Sequence, residues 1–281
     1  MGGRRARFCV GDAGQSGKRS CVTGQVYLVG AGPGAADLLT VRALRLIERA
    51  DVILYDALVT DEILALAPQA KMVPVGKRGG RVSMDQALIN RLLVSTASKH
   101  KLVVRLKGGD PMLFGRAHEE IEACVQAGIP VSVVPGITAA FGAASALSTS
   151  LTQRGLSRSV TFVTPTVARG SLASPAWAKA VAAADTSVIY MGRGDAVWIR
   201  DSLLGLGLPA TLPVVLAEDV SRPSSFTVKG PLSDLPDLAL KVGSGPVLMM
   251  IGEVFAAAEV DVEVLGVSPT PVGMVSSAKA S

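Results

Sequence analysis

Short β-rich runs that alternate with helical patterns constrain this chain more than any other feature. In the first half the runs fall near residues 26–30, 52–55, 72–75, 102–106 and 131–134. Helices between successive strands imply a mostly parallel sheet covered on both faces. The punctuation agrees. Thr40 can cap a helix carrying Val41, Leu44 and Ile47 at helical spacing. Ser83 and Gln86 form a capping-box pattern that opens the helix of Leu88, Leu92 and Leu93. Gly128 reads as the C′ residue of the helix that follows Arg116.

The second half repeats the theme with different spacing. Strands are expected at 159–164, 187–191, 213–218, 225–229 and 246–251, with helices near 175–184 and 195–204. No helix precedes Ser225–Pro231, so an antiparallel pairing, and hence a mixed sheet, is expected there. Pro135–Gly136 punctuates the chain before a helix of small residues. The division is therefore an N-terminal α/β domain over 25–136 and a C-terminal one over 137–262. Flexible tails are expected at 1–24 and 263–281.

Composition narrows the function classes. Apolar residues make up 49% of the 281, enough for a sizeable core. No uninterrupted apolar run approaches the roughly 18 residues a membrane helix needs. The basic start lacks the apolar core of a secretory signal. The expectation is a cytoplasmic protein with no membrane partner. The formal charge of +5 hints at an acidic partner, but most of the excess sits in Arg4, Arg5, Arg7, Lys18 and Arg19. With aromatics at only 4%, a base-stacking surface is not expected, and no nucleic-acid partner either. Cys9, Cys21, Cys124, His100 and His118 show no metal-ligand spacing, so no metal is expected.

Six motifs sit at strand ends, where open α/β sheets bind ligands. In "VGAGPG", Gly30, Gly32 and Gly34 allow a tight turn and a close approach of backbone to ligand. Gly30, Gly32 and Ala35 loosely fit a dinucleotide fingerprint, and Asp56 stands where a ribose-binding acid would. Against that reading, Pro33 removes a backbone donor, and the helix begins only at Thr40. In "RLKGGDPMLFGR", Gly108, Gly109 and Pro111 hold Asp110 on a stiff loop, with Arg105, Lys107 and Arg116 adding positive charge. "LYDALV" and "VGKRGG" bring Asp56 and Lys77 to strand ends, as a salt bridge or as an acid–base pair in one cleft. "VVPGITAA" and "YMG" supply small residues and Met191.

Together, "VGAGPG…DLLT", "ADVILYDALV", "VGKRGG", "VVRLKGGDPMLFGR…EE", "GIPVSVVPGITAA", "SVTFVT", "IYMG" and "GPVLMMIGEV" resemble the uroporphyrinogen-III C-methyltransferase family of tetrapyrrole methylases. The resemblance spans about residues 25–255. It implies two α/β domains, mostly parallel in the first and mixed in the second, with the active site between them, in a homodimer. It implies methyl transfer from S-adenosylmethionine to C2 and C7 of uroporphyrinogen III, giving precorrin-2 for sirohaem or cobalamin. By matching position, Pro33, Gly108, Gly109, Asp110, Leu113, Thr138, Ala139, Met191 and Val220 would bind the donor. Asp56 would accept a proton and Lys77 donate one. The substrate is a polycarboxylate, so Arg78, Arg81, Lys107 and Arg116 become its candidate partners, with Lys77 and Arg105 beside them.

Three positions depart from the family pattern. Ala35 stands where an acid is usual, Gln153 interrupts the usual "THR", and Pro165–Thr166 replace part of the usual "TGH". The last two are expected near the cleft.

Overall fold

The computed structural model describes residues 24–76, 85–165 and 174–260. Lys77, Arg78, Arg81, Ser83 and Thr166 lie outside the described residues, as do residues 1–23 and 263–281 of the expected tails.

The first sheet is built from β1 (Gln25–Gly30), β2 (Val52–Tyr55), β3 (Lys71–Pro74), β4 (Leu102–Lys107) and β5 (Val131–Val134). Their order is β3-β2-β4-β1-β5, and all four pairings are parallel. The period-2 alternation of strands sorts the apolar residues onto two covered faces. Val29, Ile53, Tyr55, Val104 and Leu106 pack against α1 (Val41–Ile47) and α2 (Asp61–Leu64). Leu28, Val52, Leu54 and Val103 pack against α3 (Gln86–Ala97) and α4 (Ala117–Gln126) through Ile89, Leu93 and Cys124. The parallel sense brings the C-terminal ends of these strands to one edge.

After α5 (Ala139–Ala146) come β6 (Val160–Val163), α6 (Ala176–Ala183), β7 (Thr186–Tyr190), α7 (Ala196–Gly205), β8 (Pro213–Glu218), β9 (Phe226–Pro231), α8 (Leu235–Lys241) and β10 (Val247–Gly252). The second sheet has the order β6-β7-β10-β8-β9, and only β6 and β7 run parallel. The expected mixed sheet is present, with β8 and β9 as the antiparallel pair. Helices α6, α7 and α8 cover one face over Ile189, Leu216 and Met249. Helix α5 covers the other, with Ala140 and Ala143 against Val188, Val215 and Met250.

Local signals acted largely as read. The Thr40 hydroxyl accepts from Ala43 N–H at 3.2 Å and caps α1. Gly128 follows α4 with φ +68°, the left-handed conformation a C′ glycine adopts. The capping box at Ser83–Gln86 requires correction. Helix α3 starts at Gln86 with Asp85 as its cap, and the Gln86 amide donates instead to Asn90 and Glu120. A buried acceptor draws it inward. The short helices α2 and α8 were not anticipated, and α8 tolerates a proline because it falls in the first turn.

Candidate active site

A cavity of about 390 Å³ opens where the two sheets face each other. Its first wall is the C-terminal edge of the parallel sheet. Gly32 and Pro33 follow β1, Asp56 and Leu58 follow β2, Gly108 to Arg116 follow β4, and Thr138 and Ala139 follow β5. Its second wall comes from Tyr190 and Met191 at the end of β7, Ala217 in β8 with Val220 and Arg222 after it, and Pro246 to Leu248 at the start of β10. Because β10 runs antiparallel to β7 and β8, its first residues lie beside their last ones.

Glycine lets the loops of the first wall touch at backbone distance. A Cβ on Gly30 would stand 2.5 Å from Gly136 N and 2.7 Å from the Gly109 carbonyl oxygen. Gly32 N–H donates to Gly109 O at 3.2 Å, and Gly109 N–H donates back to Gly32 O at 2.7 Å. Gly109 adopts φ +66°, where a side chain would be strained. Pro33 has a packing role as well. A Cβ on Gly142 of α5 would lie 3.0 Å from both Pro33 Cγ and Val220 Cγ1, so this ring joins the two halves.

Two carboxylates are fixed by backbone donors. Asp56 Oδ1 accepts from Leu58 N–H at 3.0 Å, and Oδ2 from Gly108 N–H at 3.2 Å. Asp110 Oδ1 accepts from Met112 N–H at 2.7 Å, and Oδ2 from Gly136 N–H at 2.9 Å. Asp110 thus ties the loop after β4 to the loop after β5. Gly76 lies against the backbone of Asp56 and Ala57.

The basic residues differ sharply from one another. Arg105 and Lys107 are buried, and both pair with the fully buried Glu120 at 3.0 and 3.1 Å. Burial lowers the Lys107 pKa from its ordinary value, as does the neighbouring Arg105, with Glu120 opposing both. Lys107 lines the cavity, but its ammonium already has a carboxylate partner. Arg116, by contrast, is exposed and forks onto Glu119 at 2.7 and 2.8 Å.

The second wall is held by side chains and by unusual backbone. The Tyr190 hydroxyl and Thr138 Oγ1 lie 2.6 Å apart, and Ala140 N–H donates to the same phenol at 3.3 Å. Burial raises the Tyr190 pKa, so the phenol stays neutral. Its ring stands 5.2 Å from that of Phe114. Phe114, Arg116 and Met191 line the cavity in left-handed conformations, and Asp219 and Ser221, which flank the lining residue Val220, share that conformation. Among the described non-glycine residues only Ser148 has a positive φ away from both this lining and the loop that carries Val220. Such conformations cost of order 1–3 kcal/mol each and gather where geometry matters.

All nine residues expected to hold a donor line this cavity, together with Asp56, Lys107 and Arg116. Gln153, Arg154, Thr164 and Pro165 do not line it. They flank β6, an edge strand, while the cavity is lined by the ends of β7, β8 and β10. β6 runs parallel to β7, with Val163 beside Ile189, so the chain leaves β6 on the same side as the lining residue Tyr190. Sequence reasoning missed Gln86, Leu58, Phe114, Tyr190 and Arg222 as lining residues, and Glu120 as a buried anchor. Glu120 had a signal: it falls between Ala117 and Cys124 on the buried stripe of α4, where a lone acid needs partners.

The sequence profile of the Tetrapyrrole (Corrin/Porphyrin) Methylases matches residues 25–236. The uroporphyrinogen-III C-methyltransferase of Paracoccus denitrificans is 43% identical over 256 residues, covering 89% of this chain and 89% of its own length. Siroheme synthase 3 of Aeromonas hydrophila is 45% identical over 249 residues, covering 88% of this chain and 52% of that protein. The chain spans about half the length of the siroheme synthases it matches. The crystal structure of uroporphyrin-III C-methyl transferase from Thermus thermophilus, complexed with S-adenyl homocysteine, superposes with a TM-score of 0.73 at 40% identity. That match covers 83% of this chain and 99% of the other.

Proposed function

This chain belongs to the tetrapyrrole methylase family, and from that premise we propose that it methylates uroporphyrinogen III at C2 and C7, giving precorrin-2. One observation carries the reading. Residues from Pro33 to Val220, expected to hold one donor, converge on one cavity with Asp56 at its wall.

The lining suits S-adenosylmethionine. Pro33, Leu113, Met191 and Val220 offer apolar surface, and Asp110, Thr138 and the backbone of Gly108, Gly109 and Ala139 offer a few placed polar groups. When bound, the donor supplies a methyl already activated on a sulfonium, and S-adenosylhomocysteine leaves. Asp56 accepts the proton that the methylated tetrapyrrole sheds. Its two oxygens spend one acceptor site each on backbone N–H groups and retain capacity for a further proton. Lys77, outside the described residues, is assigned as proton donor. Arg78, Arg81 and Arg116 are assigned to the substrate carboxylates. Lys107 contributes differently: with Arg105 and Glu120 it forms a buried group of two cations and one anion, which biases that wall positive. We further assign the division of the chain at 136/137, a homodimer, a cytoplasmic setting and a role in sirohaem or cobalamin synthesis to this reading.

The test is anaerobic. Purified protein with S-adenosylmethionine and freshly reduced uroporphyrinogen III should give products heavier by one and two methyls and the precorrin-2 spectrum. No methyl gain would overturn the proposal, and binding of NAD without binding of S-adenosylhomocysteine would favour an oxidoreductase.

A further inference from the structure

We propose that Arg222 is a positioning residue that holds Asp56 in the cleft through the backbone of Leu58. The inference rests on the reading of Asp56 as proton acceptor. Arg222 belongs to the loop after β8, and Asp56 to the loop after β2, so the link crosses between the sheets.

Each joint of the link is visible. Arg222 Nη1 pairs with Asp219 Oδ1 at 2.9 Å, and the other Asp219 oxygen accepts from Ser224 Oγ at 2.8 Å. Asp219 N–H donates to Pro246 O at 3.0 Å, which anchors the loop to the start of β10. From this base Arg222 Nη2 donates to Leu58 O at 2.6 Å. Leu58 N–H in turn donates to Asp56 Oδ1. The Leu58 side chain rests on Gly108, where a Cβ would stand only 2.6 Å from Leu58 Cβ. Gly108 N–H donates to the other Asp56 oxygen. Leu58 is thus gripped at its carbonyl by the second half, while its amide and the glycine beneath it orient both carboxylate oxygens.

The arginine is committed to this post. Its side chain is only 18% exposed, and Nε is buried without a hydrogen-bond partner among the described residues. An arginine kept only for stability gains little from an unpaired buried donor. The loop also holds Asp219 and Ser221 in left-handed backbone, and Ser221 Oγ accepts from Ala35 N–H at 3.1 Å, a second crossing beside the first. Strained backbone that delivers two contacts to the opposite wall fits a device that sets geometry. Loss of the guanidinium frees the Leu58 carbonyl, and an error of about 1 Å in a reacting group can cost about 100-fold in rate.

The experiment combines steady-state kinetics with amide hydrogen exchange on the full chain. Arg222→Met should lower kcat about tenfold while S-adenosylhomocysteine affinity changes less than twofold. Arg222→Lys, which keeps the charge and one reach to Leu58 O, should recover part of that loss. In an Asp56→Asn background Arg222→Met should cost nothing more, because both act through one group. The Leu58 amide should exchange faster in Arg222→Met, with β1 amides unchanged. Additive losses in the double variant, or unaltered exchange at Leu58, would overturn the proposal. If the wild-type chain transfers no methyl, the proposed activity fails, and exchange at Leu58 alone decides the latch.

Discussion

The two halves meet at the cleft by different means. The first half packs its loops backbone to backbone through Gly30, Gly109 and Gly136, and fixes Asp56 and Asp110 with main-chain N–H groups. The second half reaches across with side chains, through Ser221 and Arg222, from a loop that holds Asp219 and Ser221 in left-handed conformations. The first arrangement is rigid because nothing can be inserted into it. The second is held by a few directional bonds that span long stretches of sequence. A carboxylate fixed by the first wall is therefore trimmed in position by the second.

Perturbations should separate the two. The largest effect belongs to the buried ions beneath the first wall. Glu120→Ala strands Arg105 and Lys107 without their shared carboxylate and should cost about 3–5 kcal/mol in denaturant unfolding. A loss under about 1 kcal/mol would show that water already shares those charges. Next is Gly136→Ala, whose Cβ would meet Gly109 O and Gly30 Cα. Both obstacles are backbone and no rotamer change relieves them, so the overpacking should cost about 3 kcal/mol; a thermal midpoint equal to wild type would refute the glycine contact. On the second wall, Ser221→Ala removes only the acceptor for Ala35 N–H and should cost about 1–2 kcal/mol by the same unfolding assay. A loss matching that of Gly136→Ala would erase the contrast between walls.

The smallest effect concerns Cys124, buried beside Glu120 on the far face of the first sheet. Burial, with Glu120 adding to it, pushes its pKa up to about 11. The folded state favours the thiol, so its contribution is full below the ordinary value of 9.0 and is lost as pH rises through about 11. Stability measured across that window should fall with pH, and less steeply in Cys124→Ala. Equal slopes would mean the thiol is not held in the fold.

This contrast also explains what the sequence reveals. The sequence pattern places the ten strands of the described residues to within about two residues, because apolar period and glycine punctuation are local. The first wall was legible for the same reason: its glycines and acids sit in short motifs. The second wall was not. Arg222 meets Leu58 across 164 residues of chain, and Tyr190 meets Thr138 across 52. No local pattern marks such pairs. Glu120 lay within a recognised motif, yet its burial depends on two cations from another element. The Ser83 cap misled because Gln86 found a tertiary partner.

In the proposed mechanism one cavity holds the donor while Asp56, on its wall, handles the proton. Asp56→Asn tests it most directly, with S-adenosylhomocysteine affinity and methyl-transfer turnover measured on the same preparation. Turnover should fall by about 100-fold or more while affinity stays within about twofold of wild type. Collapse of S-adenosylhomocysteine binding, or turnover that survives the substitution, would contradict it.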